Sequence, residues 1–210
     1  MRVLIFGASI TQGFYDTKGG WVIRLWEYYT KAQLAGGPDI TVFNLGISGN
    51  GSDRLLKRFR NETEARTFPG EDFVFVFSIG TNNSWLRADG GSVSTPEAYA
   101  DDIRQLITQA REYSVKIMFI GIAPCDEARA HPVPWNNDIL FTNQRLKLFD
   151  KTLEDICRGE SVSYLPLFEP LKTKLDAGED IYEDGLHPND AGHQLIFELV
   201  RPALDNLINT

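Results

Sequence analysis

Four short segments, widely separated along the chain, carry side chains that could act together on a substrate. They are FGASITQG (residues 6–13), NLGISG (44–49), GTNN (80–83) and DGLHP (184–188). The first holds Ser9, whose hydroxyl is a weak nucleophile until a base removes its proton. The last holds His187, and a histidine can be that base near neutral pH. The pair predicts attack by Ser9 on a carbonyl carbon, with His187 as general base.

Other polar groups of these segments fit the remaining needs of acyl transfer. Asp184 comes three residues before His187, where a carboxylate can hold the imidazole in the right tautomer and favour the imidazolium. The tetrahedral intermediate needs hydrogen-bond donors for its oxyanion, and one such donor typically lowers the barrier by roughly 3 kcal/mol. The predicted donors are the backbone N–H groups of Ser9 and Gly46 and the side-chain amide of Asn82.

Three further residues are candidates for the same chemistry and are given other roles. His193 falls within the pattern of the last helix and is expected to be a packed or hydrogen-bonded structural residue. His131 lies in a loop that contains prolines and is expected to be solvated, although it could touch a substrate. Cys125 has no evident base partner, so a small half-buried residue is expected rather than a thiol nucleophile. No spacing resembles a zinc, calcium or haem site, so no metal is predicted.

Five apolar segments that alternate with amphipathic helical patterns must position these residues. Several of the segments are continuous runs of Val, Ile and Phe, as in strands buried on both faces of a sheet. The alternation predicts an α/β protein with a doubly wound, five-stranded parallel sheet. The predicted strands are Val3–Phe6, Thr41–Leu45, Phe73–Ile79, Lys116–Ile122 and Ser161–Leu165.

Ligands of open parallel sheets bind beyond the carboxyl ends of the strands, and the four segments follow predicted strands or precede the last helix. Two loops are longer than such a fold requires, at about residues 82–94 and 123–137. Long loops in compact domains are often functional. Trp85 and Trp135 lie in these loops and are candidates for a substrate pocket. The alternative is that the two rings only pack the loops down.

The composition limits the classes of function. The chain has 210 residues, a formal net charge of −8 and a sequence pI of about 4.9. Its acidity disfavours nucleic acid as a partner, and no apolar run approaches the roughly 20 residues that span a bilayer, so stable membrane insertion is not expected. The length fits one domain over residues 1–210. Two cysteines give no disulfide framework, which favours a cytoplasmic location.

Taken together, the four segments resemble the sequence blocks of the SGNH hydrolase superfamily, also called GDSL-type lipases and esterases. The four residues for which that family is named would be Ser9, Gly46, Asn82 and His187 here. All four blocks occur in the family order and span almost the whole chain. The resemblance implies a flavodoxin-like three-layer α/β/α sandwich, hydrolase or acyl-transfer activity, and no required cofactor.

The chain departs from the family pattern at two positions. Ala8 stands where the first block usually has aspartate, and Asn83 stands where the third block often has aspartate. Ala8 removes a carboxylate beside the nucleophile, but it removes neither the nucleophile, nor the base, nor a predicted oxyanion donor. We therefore expect catalysis to be retained.

The leading functional hypothesis is hydrolysis of a small-molecule carboxylic ester, with short acyl or acetyl esters favoured, through an acyl-enzyme intermediate. A thioesterase or an acyltransferase would use the same machinery. A different class is a non-catalytic, flavodoxin-like nucleotide-binding module, because Gly7 and Gly13 flank a turn that could hold a phosphate. Neither a dinucleotide glycine fingerprint nor a P-loop lysine is present, however. A catalytically dead binding protein is a third alternative, and the oligomeric state is left open.

Overall fold

The computed structural model describes residues 1–209 and is built around a parallel sheet of five strands. The strands of the described residues are β1 (Arg2–Gly7), β2 (Thr41–Gly46), β3 (Phe73–Ser78), β4 (Leu86–Arg87), β5 (Ile117–Ile120), β6 (Ile139–Leu140) and β7 (Ser163–Leu165). The large sheet has the order β2-β1-β3-β5-β7, and each neighbouring pair is parallel. All five predicted strands are present, and β3, β5 and β7 are shorter than predicted.

Helices connect the strands and cover both faces of the sheet. Those of residues 1–209 are α1 (Ser9–Gln12), α2 (Gly20–Leu34), α3 (Ser52–Glu64), α4 (Thr81–Ser84), α5 (Pro96–Arg111), α6 (Glu127–Ala130), α7 (Asn143–Gly159), α8 (Phe168–Asp176) and α9 (Asp190–Asn209). As the sequence predicts, α5 begins with Pro96 in its first turn and Thr95 as its cap, whose side chain accepts a hydrogen bond from the Ala98 backbone N–H at 3.2 Å.

The three layers follow from the alternation of side chains along buried strands. In β1, Leu4 and Phe6 belong to the core that packs against α3, α5 and α7. Val3 and Ile5 belong to the second core, which packs against α2, α8 and α9. All four side chains are fully buried, which explains why the strand is apolar at every position. The three-layer α/β/α fold is thereby confirmed.

The strand order creates a switch point at β1. The chain passes from β1 to β2 on one side and then to β3 on the other, so the connections after β1 and β3 leave the sheet in different directions. Crevices at such points are the usual ligand sites of doubly wound sheets. Ser9, Gly46 and Asn82 all follow or end the strands β1, β2 and β3.

The two long loops are joined to each other, which the sequence did not indicate. The short strand β4 of the first loop pairs antiparallel with β6, just after the second loop. Arg145 of α7 anchors the first loop. Its guanidinium donates to the Ser84 carbonyl oxygen at 2.7 Å and to the Ser92 hydroxyl at 2.7 Å. The loops therefore form one wall beside the carboxyl end of the sheet.

The last helix, α9, is amphipathic. Ile196, Val200 and Leu204 are buried against the sheet, at the spacing that places side chains on one face of a helix. Within residues 1–209, no helix is both long enough and apolar enough to cross a membrane.

Candidate active site

Ser9 is the first residue of α1, directly after β1 and the residue Ala8. Its side chain is largely buried, and its Oγ lies 2.9 Å from Nε2 of His187. The helix is only one turn long and ends at Gly13, whose φ of 97° lies in the left-handed region. Glycine adopts that region without steric cost. The sequence thus presents the Ser9 hydroxyl on a tight turn at the carboxyl end of β1.

His187 lies between α8 and α9 and is held by Asp184. The Asp184 Oδ2 is 2.7 Å from Nδ1 of His187. The other oxygen, Oδ1, accepts backbone N–H groups of Leu186 at 2.9 Å and His187 at 2.7 Å. An ionised carboxylate only accepts hydrogen bonds, so Nδ1 carries the hydrogen and Nε2 offers its lone pair to the Ser9 hydroxyl. The structure therefore joins the three side chains in one directed chain of hydrogen bonds.

The carboxyl of Asp184 is kept ionised by its partners. Burial acts to raise the pKa of this carboxyl, but the hydrogen bonds from the His187 ring and backbone outweigh burial and leave the pKa below its usual range. Hydrogen bonds to the charged form of a carboxyl have this effect. A charged carboxylate in this position is suited to stabilise an imidazolium.

Gly46 ends β2 and touches the turn that carries Ser9. A Cβ at this position would lie 2.3 Å from the backbone nitrogen of Gln12, so only glycine fits. The Gly46 N–H donates to Oδ1 of Asn44 at 3.0 Å. The Ser9 N–H belongs to the first residue of a helix and has no acceptor within that helix. Of these two predicted oxyanion donors, Gly46 thus has a competing partner in the structure.

Asn82, in α4, reaches the same cleft from the end of β3. Its Nδ2 donates one hydrogen bond to the Asn50 carbonyl oxygen at 3.0 Å. A side-chain amide has two hydrogens on its nitrogen, so this bond fixes the orientation of the group and leaves one hydrogen for another acceptor. Asn82 and Ser9 both line the cleft described below.

Asn83 has a structural task next to the site. It is buried, its Oδ1 accepts the Ser52 backbone N–H at 3.0 Å, and its Nδ2 donates to the Ser52 hydroxyl at 2.8 Å. The Ser52 hydroxyl in turn donates to Oδ2 of Asp102 at 2.6 Å. The Asn83 amide thus supplies both a donor and an acceptor to Ser52, and the carboxylate of this network is that of Asp102 in α5.

Ala8 leaves space where a longer side chain would lie. It is buried and makes no side-chain cap for α1. Beside it is a void of about 20 Å³, which Ser9, Asn82 and Leu186 also line. The geometry of Ser9 and His187 is formed without a carboxylate at position 8.

A cleft of about 340 Å³ opens in front of Ser9 and His187. Trp85 and Trp135, the two tryptophans predicted for a pocket, both line it. The sequence interpretation missed the other apolar walls, of which Phe14 and Tyr15 follow the first block directly. The apolar lining residues that were missed are Phe14, Tyr15, Ile139, Phe141 and Leu186.

Three aromatic rings surround the imidazole of His187. Ring centroids of Phe14, Tyr15 and Trp135 lie 5.5, 5.6 and 5.2 Å from that of His187. Phe14 and Tyr15 lie between α1 and α2, more than 170 positions before His187 in the chain. Their nearness to His187 could have been suspected only from their position directly after the first block.

The competing candidates lie outside this arrangement. His193 is fully buried, with its Nδ1 3.4 Å from the Trp21 backbone nitrogen and its Nε2 3.1 Å from the Phe14 carbonyl oxygen, and burial lowers its pKa. It is a hydrogen-bonded structural residue, as expected. His131 is exposed. Burial raises the pKa of the Cys125 thiol to about 12, which keeps it protonated.

Among residues 1–209, no group of three or more His, Cys, Asp and Glu side chains is arranged to hold a metal ion. An open groove of about 670 Å³ lies between α6 and the end of α8, and charged residues such as Glu127, Lys172 and Asp180 line most of it. Neither Ser9 nor His187 borders this larger groove, so the smaller cleft is the candidate active site.

Known proteins share both the sequence pattern and the fold. A model of the GDSL-like lipase/acylhydrolase family matches residues 5–195. The chain is 24% identical to the GDSL lipase Rv0518 of Mycobacterium tuberculosis, over 96% of this chain and 80% of that protein. A lipase/acylhydrolase from Enterococcus faecalis superposes with a TM-score of 0.74 at 20% identity, covering 98% of this chain and 95% of that one. Axe2, an acetylxylan esterase from Geobacillus stearothermophilus, gives a TM-score of 0.75 at 18% identity, covering 96% and 92%.

The solved structures establish the fold, and the family model establishes the relationship. Its match extends from β1 into α9 and includes all four blocks on which the resemblance to SGNH hydrolases rests. The alternative of a nucleotide-binding module is therefore wrong. The chain belongs to the GDSL-like lipase/acylhydrolase family and is an ester hydrolase.

Proposed function

We propose that residues 1–210 form one domain that hydrolyses small carboxylic esters through an acyl-enzyme intermediate on Ser9. The observation that carries this proposal is the hydrogen-bonded chain from Ser9 through His187 to Asp184, with separations of 2.9 and 2.7 Å. The nucleophile and base are within the range at which a proton can pass. Ser9 and His187 line a cleft of about 340 Å³ that can admit a small ester.

In the first step, Ser9 Oγ bonds to the ester carbonyl carbon while its proton moves to Nε2 of His187. The resulting imidazolium is stabilised by Asp184, which remains ionised. The lowered pKa of Asp184 supports this role. The tetrahedral intermediate carries one negative charge on the former carbonyl oxygen.

The oxyanion is stabilised by the N–H groups of Ser9 and Gly46 and by the amide of Asn82. The second Nδ2 hydrogen of Asn82 is available, because the Asn50 carbonyl takes only one. The Gly46 N–H donates to Asn44 Oδ1, so in this proposal the oxyanion replaces that oxygen as acceptor and the Asn44 side chain turns aside. A developing negative charge is a stronger acceptor than an amide oxygen.

The intermediate collapses when His187 returns its proton to the leaving alcohol oxygen, which leaves the acyl group on Ser9. A water molecule then attacks the acyl-enzyme, giving its proton to His187, and the acid is released as Ser9 recovers its hydrogen. Both halves use the same base and the same oxyanion donors.

Esters of short acyl groups, above all acetyl esters, are the substrates that we favour. The likeness to an acetylxylan esterase supports an acetyl ester. Trp85 and Trp135 line the cleft, which supports their proposed contact with the substrate. Thioester hydrolysis and acyl transfer to another alcohol would need no other first-step chemistry and are the alternatives. The two cysteines, free and buried, support our inference of a reducing compartment, the cytoplasm.

The test is covalent labelling combined with turnover. A fluorophosphonate probe should modify Ser9 in the wild-type protein, and Ser9→Ala should abolish both labelling and hydrolysis of p-nitrophenyl acetate. Ser48→Ala is the matched control, because Ser48 is the other serine that lines the cleft, and this variant should still be labelled. Hydrolysis by Ser9→Ala at the wild-type rate would exclude the proposed nucleophile.

A further inference from the structure

Three of the aromatic rings that line the cleft are grouped around His187, the base that we propose. Phe14, Tyr15 and Trp135 have their ring centroids within 5.2–5.6 Å of the His187 centroid. All three border the cleft, and all are partly exposed, at 37%, 50% and 48%. Exposed aromatic surface that borders a reactive group is available to a bound substrate.

The direction of proton transfer indicates which half of an ester these rings would meet. His187 must deliver its proton to the leaving alcohol oxygen, so that oxygen has to lie near Nε2 when the intermediate collapses. The carbonyl oxygen points instead toward Asn82 and the backbone donors. Groups clustered around the imidazole therefore lie beside the alcohol and not beside the acyl chain. This step rests on the proposed function of Ser9 and His187.

Tyr15 is held in place against an unfavourable backbone conformation. Its φ is 59°, in the left-handed region, which costs a bulky residue free energy that its surroundings must offset. On one side, the Phe14 carbonyl oxygen is 3.1 Å from the ring of buried His193. On the other side, Asp16 forms a buried ion pair with Arg24. A strained, firmly anchored and half-exposed aromatic residue is more typical of a binding site than of a surface loop.

The cleft also has a definite electrostatic character. Among the described residues that line it, none has an acidic or a basic side chain apart from His187. The chain as a whole carries a formal charge of −8. An anionic alcohol would lose its hydration without gaining a cationic partner, which is costly. The rim therefore favours an uncharged group.

We propose that Phe14, Tyr15 and Trp135 form the subsite for the leaving alcohol, and that this alcohol is uncharged and has a broad apolar face. An aryl ring and the C–H face of a sugar ring share this property, and both pack against aromatic side chains. These three residues then determine specificity for the alcohol, while the acyl group is selected elsewhere in the cleft.

The experiment measures kcat/KM for a set of acetates that differ only in the alcohol: methyl acetate, phenyl acetate and an O-acetylated methyl xyloside. The variants are Trp135→Ala and Tyr15→Ala. The matched control is Trp26→Ala, because Trp26 has nearly the same exposure as Trp135, 47% against 48%, but lies on α2 away from the cleft. Thermal unfolding of each variant shows that it is folded.

We expect the preference for the phenyl or xyloside ester over methyl acetate to fall about tenfold in Trp135→Ala and Tyr15→Ala, and to be unchanged in Trp26→Ala. A loss confined to one of the two esters supports the subsite and identifies its alcohol as aryl or sugar. The wild-type protein should also prefer methyl 4-acetoxybenzoate to the anionic 4-acetoxybenzoate by about tenfold.

An unchanged alcohol preference in folded Trp135→Ala and Tyr15→Ala would overturn the subsite, as would a change that follows acyl length instead. Failure of the proposed function gives a different result, namely hydrolysis of methyl acetate by Ser9→Ala. If Ser9→Ala is inactive but Trp135→Ala and Tyr15→Ala keep the wild-type alcohol preference, only the subsite proposal is wrong.

Discussion

Replacing Asp184 by asparagine tests the hydrogen-bonded chain more sharply than deleting the side chain. Oδ1 of Asp184 accepts two backbone N–H groups, while Oδ2 accepts Nδ1–H of His187 at 2.7 Å. The side-chain carbonyl oxygen of asparagine can still accept the two backbone N–H groups. Its NH₂ group then faces Nδ1, which forces the ring hydrogen onto Nε2, the atom that must accept the proton of Ser9.

The loss of activity and the loss of stability are expected to differ between two substitutions of Asp184. Asp184→Asn should lower kcat by about 10³- to 10⁴-fold, as expected for the wrong tautomer, with a smaller loss of stability than Asp184→Ala. Asp184→Ala should be inactive for a different reason and also less stable, because it leaves two buried N–H groups without acceptors at a cost of about 1–3 kcal/mol each. Hydrolysis of p-nitrophenyl acetate and urea unfolding measure the two effects separately.

The pH dependence of stability gives a second readout of the same carboxyl. Its pKa in the folded state is below the usual value, so ionised Asp184 contributes stability that is fully present above the unfolded pKa of about 4. That contribution is lost as the pH falls through the lowered pKa of the folded state. Asp184→Asn should lack this part of the acid-induced loss of stability.

A kcat for Asp184→Asn within threefold of wild type would refute the role of Asp184 in setting the tautomer of His187.

Two further predictions concern the walls of the cleft. Tyr15→Gly should be more stable than Tyr15→Ala by about 1 kcal/mol, because glycine relieves the strain at φ 59°; chemical denaturation measures the difference, and equal stabilities would show that the backbone there is unstrained. Arg145→Lys should raise KM about tenfold with a smaller change in kcat, because Arg145 fastens the loop that carries Trp85 through its bonds to Ser84 and Ser92. Steady-state kinetics separates the two constants, and an equal loss in kcat would mean that the loop positions the reacting groups.

Much of the fold could be predicted because its signals are local. Strand β3 is apolar at nearly every position, which is typical of a strand covered on both faces. Asp184 and His187 are three residues apart, and the His187 backbone N–H donates to the Asp184 carboxylate, so their pairing also depends on nearby sequence. Proximity of Ser9 to His187 required one additional rule, that loops at the carboxyl ends of parallel strands converge.

The features that escaped prediction depend on contacts between distant segments. Strands β4 and β6 have two residues each, too few to show any periodicity, and they exist because two loops meet. The bond from Gly46 to Asn44 depends on a rotamer that residue type does not specify. Tyr15 was not suspected, because only the packing of α2 and α9 against its loop brings its ring to His187.

By itself, the sequence determined the strand–helix alternation, the family and the types of the groups that meet at the sheet edge. Backbone preferences and burial on both faces are properties of short segments, and a linear pattern carries them. Only the tertiary structure decided which rings enclose His187, which donors have competing acceptors and how the two loops join. Those outcomes are set by packing between residues that are far apart in the chain, where small differences in geometry select one partner over another.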